Sequence, residues 1–130
     1  MKFQFKYRVA WVDTDALGIM HFSNYFRLCE RTEQELMNYL GIENEGTFFP
    51  RVDAHCTYKY PLKFNDLVNV YMWVKEIGKS HITFSYEIIN ELDEKTVARC
   101  QIVVVPVDSN MKKSILKEEI VEKMKQFMDE

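Results

Sequence analysis

The chain has 130 residues, of which 47% are apolar and 14% aromatic, and a formal net charge of -3. That is material for one domain, residues 1–130, around a single core, and too apolar a composition for a disordered chain. The acidic balance excludes nucleic acid as the main partner, which demands a basic face, and no apolar run approaches the ~20 residues of a membrane span.

Residues 3–12 alternate strictly, with Phe3, Phe5, Tyr7, Val9 and Trp11 on one face, which predicts a strand. The same alternation separates the opening MKFQFKYRV from a secretory signal, whose centre is continuously apolar. After Asp13, Asp15 and a turn at Gly18, the residues Phe22, Tyr25, Phe26, Cys29, Leu36, Tyr39 and Leu40 form one stripe at helical spacing. They predict an amphipathic helix over 23–40, with Ser23 or Asn24 as its cap and Gly41 as its stop. Residues 42–50, holding Gly46 and Pro50, read as a loop.

A strand over 52–60 comes next, ended by Pro61 and a turn at Asn65–Asp66. Three long strands are predicted after it. Residues 67–77 carry Val68, Val70, Met72 and Val74 on one face, and 80–90 carry Ile82, Phe84, Tyr86 and Ile88. Residues 96–107 carry the run IVVVPV, with Pro106 marking a strand end or an edge. The links near Gly78 and Leu92–Lys95 are short enough for antiparallel hairpins. Leu116, Ile120, Met124 and Phe127 predict a closing helix over 115–128. Nothing alternates in the βαβ manner. The expected class is therefore α+β, a long antiparallel sheet of about five strands with one helix near the front and one at the C-terminus.

The cysteines, Cys29, Cys56 and Cys100, are three in number, widely spaced and without a CxxC pair. They read as reduced thiols of a cytoplasmic protein, each a small buried hydrophobe.

Several groupings bear on chemistry. Asp13 and Asp15 share a face if the backbone is extended, so they can work jointly or hold a cation; ordinary turn chemistry accounts for them as well. Just ahead of a helix start, Asp15 would meet free amides and the positive end of the helix dipole. His21 lies at the same place, as a packed, exposed or catalytic residue. Asp13, Asp15 and His21, with His55, lack any recognised metal-ligand spacing, and no metal is expected. Gly78-Lys79-Ser80 lacks the glycine a phosphate loop needs five residues earlier, where Trp73 stands, and reads as a hairpin turn. No GxSxG elbow exists for a serine nucleophile, and Cys29 has no histidine nearby in sequence. Glu30 and Glu33 interleave with Arg27 and Arg31 as a solvated face, with Glu30 close to the edge of the apolar stripe.

The run from Trp11 to Glu35, W-V-D-T-D-A-L-G-I-M-H-F-S-N-Y-F-x-x-x-E-R-T-E-x-E, resembles the signature of hot-dog-fold acyl-CoA thioesterases. The nearest group is the 4-hydroxybenzoyl-CoA thioesterase-like family. Tyr58-Lys59-Tyr60-Pro61 with Asp66, the segment from Gly78 to Asn90, and Val103 to Asp108 extend the resemblance over about residues 5–110.

The resemblance implies a sheet wrapped around a central helix, and a dimer whose sheets join edge to edge with two active sites at the interface. It implies Asp15 as base or nucleophile and an amide near Phe22 as the donor that polarises the thioester carbonyl. Many relatives carry histidine where Phe22 stands, whereas here the histidine, His21, is one residue earlier. The catalytic set expected is thus Asp15, Phe22 and His21, and the substrate-binding set Gly18, Tyr25, Glu30, Tyr58 and Lys79. Hydrolysis of this kind needs a group to activate water or attack the carbonyl, and donors for the oxyanion, but no cofactor. The alternatives are a non-catalytic acyl-thioester-binding protein and an enoyl-thioester hydratase. Lys79, Lys112 and Lys113 are candidates for the phosphates of coenzyme A, or else plain solubilising lysines. Phe48, Phe49 and Tyr58 are candidates for an acyl pocket, or else core. Exposed strand edges predict a homodimer, or a dimer of dimers.

Overall fold

A computed structural model describes residues 1–42 and 46–128. In chain order it contains β1 (Phe3–Arg8), α1 (Asn24–Leu40), β2 (Arg51–Tyr58), β3 (Leu67–Ile77), β4 (Ile82–Asn90), β5 (Thr96–Val104) and α2 (Glu118–Lys125). The five strands form one antiparallel sheet in the order β1-β3-β4-β5-β2.

The sheet's inner face follows from the period-two alternation. Val68, Val70, Met72 and Val74 of β3, and Ile82, Phe84, Tyr86 and Ile88 of β4, are all essentially inaccessible to solvent. Register continues the row structure across strands: Val70 stands opposite Ile88, and Ile88 opposite Ala98. Against this face α1 buries Tyr25, Leu28, Cys29, Thr32, Leu36 and Leu40, a 3.6-residue stripe. Thr32 is tolerated there because its hydroxyl donates to the Leu28 carbonyl at 2.8 Å. Gly41 closes the helix in the left-handed conformation at φ 66°, as its position predicts. Ile120, Met124 and Phe127 bring α2 onto the same core.

Several expectations are corrected. The first strand stops at Arg8, and Trp11–Asp13 forms a 3-10 turn. The Asp13 carboxylate accepts the Ala10 amide at 2.8 Å, which bends the chain away from the sheet. Trp11 consequently lies 75% exposed, its ring 5.2 Å from that of Phe64. In the helical stripe, Phe22 and Tyr39 are exposed, whereas Leu28, left out of that stripe, is buried. Tyr39 instead packs edge-wise near Phe3 and Phe127. Neither candidate cap closes the helix start: no side-chain cap bond forms at Ser23, and Asn24 turns its amide to the Asp13 carbonyl at 2.8 Å. The last strand ends at Val104, before Pro106, and the last helix is confined to Glu118–Lys125. Of the loop over 42–50, residues 43–45 lie outside the described part; Phe48 exchanges two backbone hydrogen bonds with Val107.

The cysteines also depart from expectation. Cys56 and Cys100 are directly opposed on β2 and β5 and form a disulfide, while Cys29 is a buried free thiol. Sequence separation of 44 conceals the pairing, which the sheet register creates.

At the end of the sheet, β2 is unusual. Every residue of it except Cys56 is exposed, on both faces. Its outer edge presents unpaired backbone groups among the described residues.

Candidate active site

The two aspartates of the D-x-D have different surroundings. Asp13 Oδ2 accepts the Tyr7 hydroxyl at 2.6 Å and the Ala10 amide at 2.8 Å. Burial, followed by this bond to Asp13, pushes the Tyr7 hydroxyl up to about 12. The Asp13 backbone carbonyl accepts the His21 amide at 2.9 Å and the Asn24 side chain at 2.8 Å. Asp13 is thus taken up in tying β1, the loop and the helix start together.

Asp15 is held by a tight turn of its own. Its carbonyl accepts the Gly18 amide at 2.9 Å, and its amide donates to Ile19 at 3.0 Å. Gly18 sits at φ 79°, a conformation that favours glycine. One carboxylate oxygen, Oδ1, accepts the Leu17 amide at 2.9 Å. The other oxygen has no partner among the described residues. The carboxylates line separate cavities, Asp13 one of 280 Å³ with Arg27 and Glu30, Asp15 one of 420 Å³.

The helix start faces the second cavity. The peptide unit joining His21 to Phe22 is fixed because the His21 carbonyl accepts the Asn24 amide at 2.9 Å. In a planar trans peptide the N–H points opposite to the C=O, so the direction of the Phe22 N–H is set as well. That N–H has no acceptor among the described residues. It is one of the open donors of a helix N-terminus, at the positive end of the dipole. The next carbonyl, of Phe22, accepts the Tyr58 hydroxyl at 3.0 Å and so ties the helix start to β2. Tyr58 also meets the Tyr25 ring edge-on, with centroids 4.9 Å apart. Burial is the main cause raising both tyrosine hydroxyls above their ordinary range.

Asp15, Phe22, Tyr25 and Tyr58 therefore meet in one cavity, whose walls include Leu17 and Met20. Lys59, Tyr60 and Pro61 complete it, residues the sequence reading left unassigned. Their signal was the Tyr58-Lys59-Tyr60-Pro61 stretch of the family resemblance, just beyond the end of β2, which by itself assigned them no role. Gly18 acts by shaping the Asp15 turn. His21 is not on the cavity wall: its Nδ1 pairs with the Ser23 hydroxyl at 2.7 Å and its ring lies against Phe22.

Glu30 lines other cavities, including one of 460 Å³ with Glu33, Phe49, Arg51 and Phe84. There Arg51 pairs with Glu33 at 2.6 Å. Burial raises the Glu33 carboxyl above its ordinary value, and Arg51 opposes the rise. Lys79 sits in the β3–β4 turn, and neither it nor Lys112 nor Lys113 lines the Asp15 cavity of its own chain.

An antiparallel sheet packed on one long helix, with a carboxylate and an open amide at the helix start, defines a hot-dog fold of the thioester-hydrolase class. The sequence profile of the thioesterase-like superfamily matches residues 9–124, and the chain belongs to that superfamily. It is 34% identical over 96 residues to a candidate esterase of Aquifex aeolicus, covering 70% of this chain and 75% of the relative. It is 27% identical over 129 residues to a 1,4-dihydroxy-2-naphthoyl-CoA hydrolase of Nostoc punctiforme, covering 94% of this chain and 86% of that one. Its fold matches a 1,4-dihydroxy-2-naphthoyl-CoA thioesterase from Synechocystis with a TM-score of 0.89, at 18% identity, over 95% of this chain and 96% of the other.

Proposed function

We propose that the chain hydrolyses acyl-CoA thioesters to a carboxylic acid and free coenzyme A, with Asp15 as the reacting carboxylate. The observation that carries this reading is that Asp15, one of whose carboxylate oxygens is unengaged among the described residues, and Phe22, whose N–H is likewise unengaged, line one cavity. The thioester carbonyl oxygen accepts the Phe22 N–H, and the helix dipole stabilises the charge that develops there. As general base, Asp15 takes a proton from water, the resulting hydroxide adds to the carbonyl carbon, and the C–S bond breaks. The proton on Asp15 then passes to the departing thiolate. As nucleophile, Asp15 adds to the carbonyl carbon itself, the C–S bond breaks to release the thiolate, and water opens the resulting anhydride, giving one proton to the thiolate. A single turnover in ¹⁸O water that leaves label in the Asp15 carboxylate identifies the second route, with water attacking the Asp15 carbonyl of the anhydride.

The site is proposed to be completed by a second copy of the chain. What supports this is an end strand exposed except at Cys56, to which Tyr58 anchors the helix start and whose free edge invites another β2. Dimers of dimers are the further assembly proposed. Lys59 is the cation of the cavity itself and is proposed to meet the polar part of coenzyme A, with Lys79, Lys112 and Lys113 contributing from outside it. Glu30 is proposed to reach substrate across that interface. His21 is proposed to act through Phe22, on which its ring rests. No helix among the described residues is long and apolar enough to cross a membrane. The cytoplasm, which holds thiols reduced, is the proposed compartment.

Release of free thiol from short, long and aromatic acyl-CoAs tests the reading. Turnover that Asp15→Asn abolishes supports it. Binding without turnover by a folded dimer makes the chain an acyl-thioester-binding protein. Hydration of an enoyl-CoA without thiol release makes it a hydratase.

A further inference from the structure

All three cysteines of the chain converge. Cys29 comes from α1, Cys56 from β2 and Cys100 from β5, and their sulfurs lie within 4.8 Å of one another. The convergence has a structural origin. Cys56, Cys100 and Tyr86 are successive members of one cross-strand row on β2, β5 and β4. The helix lays Cys29 over that row from above. The neighbour in the row supplies a second, independent feature. Tyr86 is almost completely buried, and its hydroxyl is the one buried side-chain polar atom without a hydrogen-bond partner among the described residues. A donor left open on the residue paired with Cys100, with Cys29, Glu33 and Arg51 also near enough to influence it, has no role in the hydrolysis described above.

We propose that in the reduced protein Cys29, Cys56 and Cys100 form a three-thiolate site for one soft divalent metal ion, zinc being the physiological candidate. Thiolates select soft ions, and no hard oxygen ligand is present in the cluster. A zinc–sulfur bond of ~2.3 Å places ligand sulfurs about 4 Å apart; Cys29 already lies within 4.8 Å of both partners, and reduction must let the Cys56 and Cys100 sulfurs separate from their disulfide contact. Tyr86, the cross-strand neighbour of Cys100, is assigned the supporting hydrogen bond to a metal-bound sulfur that such ligands ordinarily have. Cys56, the only one of the three that is not fully buried, opens the route in from the sheet edge.

Two steps lead from the disulfide form to the loaded site. A dithiol or phosphine reductant delivers two electrons, and with two protons the Cys56–Cys100 bond becomes two thiols. The metal ion then displaces one proton from each of the three thiols, and a complex with one net negative charge remains. The disulfide form offers one thiol and cannot bind. Metal loading is therefore confined to the reducing state, and the absence of any CxxC spacing explains why sequence pattern alone does not disclose it.

The test uses the full chain, reduced with a phosphine and titrated with cadmium, a spectroscopic stand-in for zinc. The expected result is saturation at one equivalent in the ultraviolet thiolate-to-cadmium band, with zinc displacing cadmium. Alkylation of the parent protein, read by mass, should show all three cysteines protected together by the metal. Cys29→Ala should weaken binding at least ~10-fold, and Tyr86→Phe should weaken it several-fold while the band stays. No band, protection of only two cysteines, or an unchanged titration in folded Cys29→Ala would overturn the proposal. These readouts need no substrate, so they stand apart from the outcome of the hydrolysis assays.

Discussion

The substitution Asp15→Asn separates chemistry from folding because of how the carboxylate is held. Its Oδ1 accepts the Leu17 amide at 2.9 Å, while its other oxygen has no partner among the described residues and the residue lines the cavity. An asparagine can place its carbonyl oxygen on the Leu17 amide and its NH₂ toward the cavity. The turn keeps its bond, and the loss is limited to the charge-assisted part, under about 1 kcal/mol. What disappears is the one carboxylate lining that cavity among the described residues, the proposed proton acceptor or nucleophile. General-base help is worth ~10²–10⁴-fold. At ~1.36 kcal/mol per tenfold, this corresponds to about 2.7–5.4 kcal/mol of barrier. The oxyanion donor and the cavity remain, so the loss should fall on kcat with KM little moved. The assay is steady-state thiol release on the best acyl-CoA, with denaturant melts of both proteins. Asp13→Ala is the matched control, since it removes the acceptor of two bonds and should cost about 1–3 kcal/mol of stability. A folded Asp15→Asn protein within about three-fold of the parent would refute the assignment, because a base supplies ~10²-fold at minimum.

Other expectations follow from particular contacts. Gly41→Val meets no neighbour but must hold φ 66°, so denaturant melts should show a loss of about 1–2 kcal/mol from conformation alone. Val52 is 60% exposed on β2, and Val52→Lys should shift light scattering toward monomer and lower specific activity as dilution proceeds. Burial and the Asp13 bond raise the Tyr7 hydroxyl from 10.0 to about 12, so its contribution is intact below pH 10 and lost as pH climbs toward 12. Chemical melts across that interval should decline less steeply in Tyr7→Phe than in the parent.

The parts of the fold that were legible in advance are those written by side-chain period. Val68 to Val74 and Ile82 to Ile88 alternate cleanly because the inner face of β3 and β4 is buried along these segments. Trp11 obeyed the same alternation and still left the strand, since a side chain downstream, Asp13, captured the turn amide. The Asp15–Gly18 turn was readable from local chemistry. Lys59, Tyr60 and Pro61 were not, because they reach the cavity only through the way β2 leaves the sheet. The meeting of Cys29, Cys56 and Cys100 depends on register between strands 44 residues apart and on helix rotation, neither of which local pattern encodes.

On the proposed mechanism, the donor that stabilises the oxyanion belongs to the main chain at Phe22, held in direction by the Asn24-to-His21 bond. Such a donor is inherited with the backbone and is blind to the genetic identity of the side chain it carries. Histidine, phenylalanine or another aromatic at that position would each deliver the same N–H, leaving the side chain free to diversify toward new acyl groups. Nineteen of the twenty encoded amino acids preserve the group, and proline alone deletes it. Substrate preference can therefore drift at this position by ordinary point mutation while the chemistry beneath it is conserved.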